Sequence, residues 1–353
     1  CMMKEPSKRP TFDDILIHLR SDYGFITEKV DEKDFRDFVH YIDESIDKYR
    51  INQDQFINFS SITFTTPRIA NDENEINLNI KEEKCINLNI KEEDIIDLNI
   101  KEEKCIDINR FFIIKVLGSG SFGQVFQVKE IQTGKIFAAK MIKNNISSDY
   151  KTNDETLNFF REVKLMSAFN HPSIIKFIGY SPIDWKGFQH PTTIIEFASN
   201  GTLRDVINLE ASGLSPKNWN ETKKLINIYG IASAMLYLHS HDVIHRDLKP
   251  DNILMDDYLF PKVTDFGYSK ALISKKYNGS LAYISSPCIK GTYLYMSPES
   301  FMKQLYSKEN DIFAFAILVY EVLTLKKPYP FDNYYELVSK VICKGERPEL
   351  TQD

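Results

Sequence analysis

The feature that most constrains this chain is an eight-residue stretch, His245-Arg246-Asp247-Leu248-Lys249-Pro250-Asp251-Asn252. From Asp247 to Asn252 it sets a carboxylate, an ammonium and a carboxamide within six positions. Pro250 removes an N–H and disfavours helix at Lys249, so the segment reads as an ordered loop. Val243-Ile244 before it and Ile253-Leu254-Met255 after it read as short strands that hold the loop from both sides. Thirteen residues beyond Asn252 comes Asp265-Phe266-Gly267, a second carboxylate beside a glycine. Two carboxylates and an amide oxygen on fixed loops suit a hard, oxygen-seeking cation such as Mg²⁺.

The totals narrow the function classes. The 353 residues allow two or three domains, and 42% apolar residues suffice for a sizeable core. A net charge of −6 argues against a nucleic-acid partner, which would bring a basic balance or stripe. Five cysteines (Cys1, Cys85, Cys105, Cys288, Cys343) are odd in number and nowhere closely paired. Neither a zinc site nor a disulfide framework is expected from them, and the setting reads as reducing and cytoplasmic. The longest apolar run, Ile312 to Leu323 with Glu321 inside it, is too short to span a bilayer and reads as a buried helix. No signal peptide or membrane partner is expected. The chain opens on Cys1 rather than Met, which reads as a fragment or a processed piece.

In chain order, Phe12, Ile15, Leu16 and Leu19 recur at helical spacing after Pro6 and Pro10. Phe35, Phe38, Val39, Ile42, Ile46 and Tyr49 mark one face of a second helix over 31–50, its other face strongly acidic. From Ile76 a ten-residue unit repeats three times, alternating apolar residues and then charges, and reads as a low-complexity linker. At Arg110 the composition changes, and Phe111 to Leu117 reads as a strand.

A Gly-rich turn follows, Gly118-Ser119-Gly120-Ser121-Phe122-Gly123-Gln124-Val125. Glycines let a backbone come close to phosphates and point its N–H groups at them. A dinucleotide-binding turn would open a helix here. Instead a second strand-like segment follows, Val125 to Val128, and then a turn at Thr133-Gly134. Phe137-Ala138-Ala139-Lys140-Met141 sets one lysine in an apolar strand, and Glu162 lies twenty-two residues on in a helical segment that ends at Asn170-His171-Pro172. Thr193-Ile194-Ile195-Glu196-Phe197-Ala198 is an apolar strand running into the polar turn Ser199-Asn200-Gly201.

In this order the motifs resemble those of a protein kinase domain: the G-x-G-x-x-G-x-V loop, the strand lysine and its helix glutamate, the H-R-D loop with its asparagine, and D-F-G. The resemblance covers 107–353 and implies an α+β, bilobal protein-kinase fold. Its N-lobe (107–198) would be small and β-rich with one helix; its C-lobe (199–353) would be larger and helical, with its last helices missing from this end. It further implies ATP and Mg²⁺ as cofactors. Gly118, Gly120, Ser121, Gly123, Val125, Ala138 and Lys140 would bind the nucleotide, and the backbone of Glu196 and Ala198 would meet the adenine. Glu162 would pair with Lys140, Asp247 would take the substrate hydroxyl's proton, and Lys249 would neutralise the γ-phosphate. Asn252 and Asp265 would hold Mg²⁺. Asp205 reads either as a ribose contact or as a solvated helix carboxylate, and His245 as a packed structural residue.

Lys249 and Thr292 together are the Ser/Thr-kinase form, so the implied partners are protein substrates phosphorylated on Ser or Thr. Asn170-His171-Pro172 and Asn200-Gly201-Thr202-Leu203 are similar in style to the tyrosine kinase-like group. Tyr277, Ser280, Tyr283, Ser285 and Ser286 could take an activating phosphate from an upstream kinase or from the chain itself, and Arg246 could pair with it. The rival reading is a pseudokinase, a nucleotide-binding scaffold, whose usual mark is loss of the lysine, the base or the metal aspartate; all are present. Asp311 would tie the catalytic loop's backbone. Residues 1–20 resemble the far end of a kinase C-lobe, where an Arg-Pro-Thr-Phe segment supplies an arginine to the Glu of Ala-Pro-Glu, here Ser297-Pro298-Glu299. Arg9 would be that arginine. With 21–106 as a linker, two arrangements stay open: 1–20 belongs to an upstream kinase copy, or it folds back so that Arg9 meets Glu299.

Overall fold

The computed structural model describes residues 1–50, 104–120, 123–142, 152–271, 284–285, 293–303, 305–329 and 334–349. They form two compact units. One, mainly helical, holds 1–50, 169–175 and the described residues from 198 onward; the other holds those of 104–168 and 176–197. The ten-residue repeats up to Glu103, together with Ser121, Tyr277, Ser280, Tyr283, Ser286 and Thr292, lie outside the described residues.

The helical unit begins with α1 (Phe12–Ser21), started by a capping box in which Thr11 and Asp14 satisfy each other's backbone N–H. Its apolar stripe buries Phe12, Leu16 and Leu19. The helix expected over 31–50 is α2 (Glu32–Arg50), which buries Phe35, Phe38 and Ile42. Full burial of such side chains is worth about 1.5–3 kcal/mol each. The exposed pairs Lys33–Asp37 and Arg36–Glu32 along α2 add little.

The second unit is a five-stranded antiparallel sheet in the order β1-β2-β3-β5-β4. Its strands are β1 (Phe111–Gly120), β2 (Gly123–Glu130), β3 (Ile136–Met141), β4 (Phe177–Ser181) and β5 (Thr192–Glu196). Ile108, Phe111, Phe126, Val128, Ala139, Met141 and Ile194 form its core. Helix α3 (Thr152–Ala168) sets Phe159 and Phe160 edge-on to Tyr180 of β4, at 6.3 and 5.7 Å between ring centres. Cys105, which precedes this sheet, is disulfide-bonded, although no disulfide framework is expected from the sequence; Cys1 and Cys343 are free thiols.

The helical unit continues with α4 (Leu203–Ala211) and α5 (Glu221–Ser240). Short strands follow: β6 (Val243–Ile244), β7 (Ile253–Met255), β8 (Pro261–Val263) and β9 (Lys270–Ala271). They pair as β6 with β9 and β7 with β8, which fixes both ends of the His245–Asn252 loop. Next come β10 (Ile284–Ser285), α6 (Pro298–Lys303), β11 (Leu305–Tyr306) and α7 (Lys308–Thr324). The apolar run at Ile312 lies in α7 and is buried as expected. Among the described residues no helix is long and apolar enough to cross a membrane. Near the end of the described residues one short turn, Tyr334–Glu336, passes into a π-helix, Leu337–Cys343. Helix α5 is buried on every side rather than on one stripe, which makes it the axis of this unit. A cavity of about 580 Å³ stays beneath α1, lined in part by Ile15, Leu19, Phe25, Leu225 and Phe315.

Candidate active site

In the sheet unit the Gly-rich turn joins β1 to β2, whose register runs up to Gly120 opposite Gly123. Gly123 adopts φ +142°, and a Cβ there would lie 2.0 Å from the Met141 carbonyl oxygen. Glycine is required at this position so that the β3 backbone can approach. Among the described residues no atom lies within 4 Å of a Cβ placed at Gly118. Lys140 of β3 pairs with Val125 of β2 on one side and Thr193 of β5 on the other. Ala138, two residues back, shares its face. The Lys140 ammonium meets the Glu162 carboxylate of α3 at 2.9 Å, both side chains mostly buried. Glu196, at the end of β5, commits its N–H to the Lys176 carbonyl at 2.9 Å, so a role toward adenine would rest on its own carbonyl.

In the helical unit the central loop closes on Asp247. Lys249 Nζ lies 2.8 Å from the Asp247 carboxylate, and Asn252 Nδ2 donates to the carboxylate at 3.0 Å and to the Asp247 carbonyl at 2.7 Å. Because the Asn252 amide nitrogen is spent there, its oxygen is the end presented elsewhere. The Thr264 N–H donates to the Asn252 carbonyl at 3.0 Å, tying this loop to the one that carries Asp265. Asp265 sits at φ +65°, ψ +70°, and Arg246 at φ +71°. Left-handed backbone at non-glycine residues costs about 1–3 kcal/mol and collects at functional loops. A carboxamide oxygen and a carboxylate on tied loops fit Mg²⁺, which takes few protein oxygens and shares the rest with phosphate and water.

Asp311 holds the loop from α7. Its carboxylate accepts the N–H groups of His245 and Arg246, each at 2.9 Å, and a hydrogen bond from His239 Nε2 at 2.9 Å. Burial alone would raise its pKa, but these donors hold it below the ordinary carboxylate value. His245 is fully buried, with Nε2 3.0 Å from the Thr264 carbonyl and its ring against Phe266. It packs and braces, and nothing places it at a reacting atom. Arg246 lies over the Tyr306 ring at 3.9 Å.

Two features escaped the sequence reading. Asp205 closes a capping box with Thr202 at the start of α4, a use betrayed by the Thr-x-x-Asp spacing. A second network joins Arg204 to Glu321 through two contacts of 3.0 Å, with Tyr295 donating to Glu321 at 2.6 Å and Arg204 also bonding Tyr295. Burial depresses the Arg204 pKa, yet the Glu321 carboxylate raises it on balance. The signal was a lone carboxylate, Glu321, inside an apolar helix, which must find a cation.

Residues 111–351 match the family model of the protein kinase domain. The chain belongs to the protein kinases. Among relatives, it is 33% identical over 241 residues to the RGS domain-containing serine/threonine-protein kinase A of Dictyostelium discoideum, covering 68% of this chain and 19% of the relative. It is 28% identical over 234 residues to a putative serine/threonine-protein kinase A of Trypanosoma brucei brucei, covering 66% and 51%. It is 34% identical over 246 residues to the human cytoplasmic tyrosine-protein kinase BMX, covering 68% and 33%. The chain thus spans about a fifth to a half of these relatives, and they include both hydroxyl specificities. Residues 1–50 fall outside the kinase match, although Arg9 contacts Glu299 within it.

Proposed function

We propose that this kinase transfers the γ-phosphoryl group of ATP to Ser and Thr hydroxyls of protein substrates, with Mg²⁺ as cofactor. One observation carries the reading: the Lys249 ammonium lies 2.8 Å from the Asp247 carboxylate. That puts a fixed cation beside the base, where tyrosine-specific members of the family usually differ. Asp247 accepts the hydroxyl proton as the oxygen attacks the γ-phosphorus and ADP leaves. Lys249 offsets charge on the transferred group. Lys140, fixed by Glu162, binds the α- and β-phosphates, and Gly118, Gly120, Ser121 and Gly123 bring backbone N–H groups to them. Val125, Ala138, Glu196 and Ala198 receive the adenine. Asn252 and Asp265 hold Mg²⁺, which neutralises phosphate charge. Because phosphoryl transfer passes through a loose transition state, positioning and charge stabilisation carry most of the catalysis.

The test uses the purified full chain with γ-labelled ATP, Mg²⁺ and a degenerate peptide mixture containing Ser, Thr and Tyr, followed by phosphoamino-acid analysis. Label on phosphoserine and phosphothreonine is the expected outcome. Label on phosphotyrosine alone would overturn the acceptor assignment, and nucleotide binding without transfer would make the chain a pseudokinase.

A further inference from the structure

We infer that residues 1–50 are the closing layer of this kinase's helical unit, bound in cis, so that the working domain is permuted: a structural layer precedes its first strand in the sequence. The kinase match starts at residue 111 and leaves this segment out. Its contacts are nevertheless those of a core element.

Arg9 is the centre of the contact. Its side chain is fully buried, and its guanidinium meets both oxygens of Glu299, at 2.5 and 3.0 Å. It also donates to the Glu309 carbonyl at 2.9 Å and to Met3 of its own segment at 3.0 Å. A buried two-point pair of this kind fixes orientation as well as charge. Asn310 adds a hydrogen bond to Glu299 at 2.7 Å. Two cations meet the Phe313 ring, Arg9 at 5.2 Å and Arg347 at 5.1 Å, and Arg347 reaches back to the Met2 carbonyl at 2.9 Å. The two sequence extremes of the helical unit are therefore joined on one aromatic platform.

The rest of the segment covers α5. Phe12 stands edge-on to His239 and Phe315, at 5.1 and 5.3 Å between ring centres. Arg20 donates to the Tyr229 hydroxyl at 2.7 Å, and the Asp31 N–H donates to the Thr222 hydroxyl at 2.8 Å. Phe35 packs against Tyr229 and Phe38 against Phe260. At Gly230 an added Cβ would meet Pro261 at 2.7 Å, Ser173 at 2.9 Å and Phe38 of this segment at 3.2 Å. Helix α5 is buried on every side, and such a helix needs cover on every face. Residues 1–50 supply one of them.

Because Arg9 fixes Glu299 in the first turn of α6, within the Ser297-Pro298-Glu299 motif, loss of the cover would also disturb catalysis, with Arg9 acting as a positioning residue. The test is the full chain with a site-specific protease sequence inserted between residues 60 and 95. After cutting, the N-terminal piece should co-elute with the remainder at monomer mass, with melting temperature retained. Arg9→Glu should release the piece from the cut protein and lower the melting temperature of the uncut one, and adding Glu299→Arg should restore both. Separation of the piece from a remainder that keeps its melting temperature would overturn the inference. So would an uncut chain that runs as a dimer with the segment crosslinked between copies. Both readouts are independent of kinase activity, so a failure here is distinct from a failure of the proposed chemistry.

Discussion

His171 is a buried neutral imidazole, and its hydrogen bonds define the tautomer. The Ser173 N–H donates to Nδ1 at 3.0 Å, so the ring proton sits on Nε2 and faces the Ser233 hydroxyl at 3.1 Å. Burial, aided by Lys262, pushes its pKa down to about 3. The unfolded chain takes up this proton near pH 6.5, whereas the folded chain resists until about pH 3. Stability from this group is thus complete above pH 6.5 and falls by about 1.4 kcal/mol per pH unit on acidification through that window. Unfolding measured in urea from pH 7 to pH 5 should show a shallower loss for His171→Gln than for the parent chain; equal slopes would assign the acid sensitivity to other groups. Single residues differed in how far they could be read. The meeting of Asp247, Lys249 and Asn252 was legible because the three lie within six positions of one loop. The Arg204–Tyr295–Glu321 network was not, since its members lie 91 and 117 residues from Arg204 and meet only once the fold exists.

Among the elements, two of the three glycines around the β1–β2 turn have different physical reasons for being there. At Gly123 a side chain would collide with the β3 backbone in a left-handed conformation. Gly123→Ala should therefore cost at least about 1–3 kcal/mol of stability, read as a lowered melting temperature. Gly118→Ala meets no neighbour among the described residues, so it should leave the melting temperature in place and weaken ATP binding, seen as a raised KM for ATP. If both variants melted alike, the distinction between a packing glycine and a phosphate-facing one would be lost. The strands flanking this turn and the catalytic loop were legible from apolar runs broken by Gly and Pro. The π-helix at Leu337–Cys343 was not, because its side-chain pattern is that of an ordinary helix and its extra residue per turn leaves no sequence mark.

For the whole molecule, the sequence order of motifs was enough for the α+β class, and the sheet followed by helices agrees with it. The role of 1–50 was harder to read. Its helical periodicities were plain, but a periodic stripe says only that a helix has a buried face, not which helix covers it. The Arg9–Glu299 contact, separated by 290 residues, required the assembled unit. In the proposed chemistry one carboxylate, that of Asp247, takes the substrate proton. The most direct test is steady-state phosphoryl transfer to a Ser/Thr substrate by the full chain and its Asp247→Asn variant, compared after their melting temperatures have been matched. Removal of the base should lower kcat by about 10²–10⁴ while leaving KM for ATP nearly unchanged. Equal kcat values for the two proteins would contradict the account.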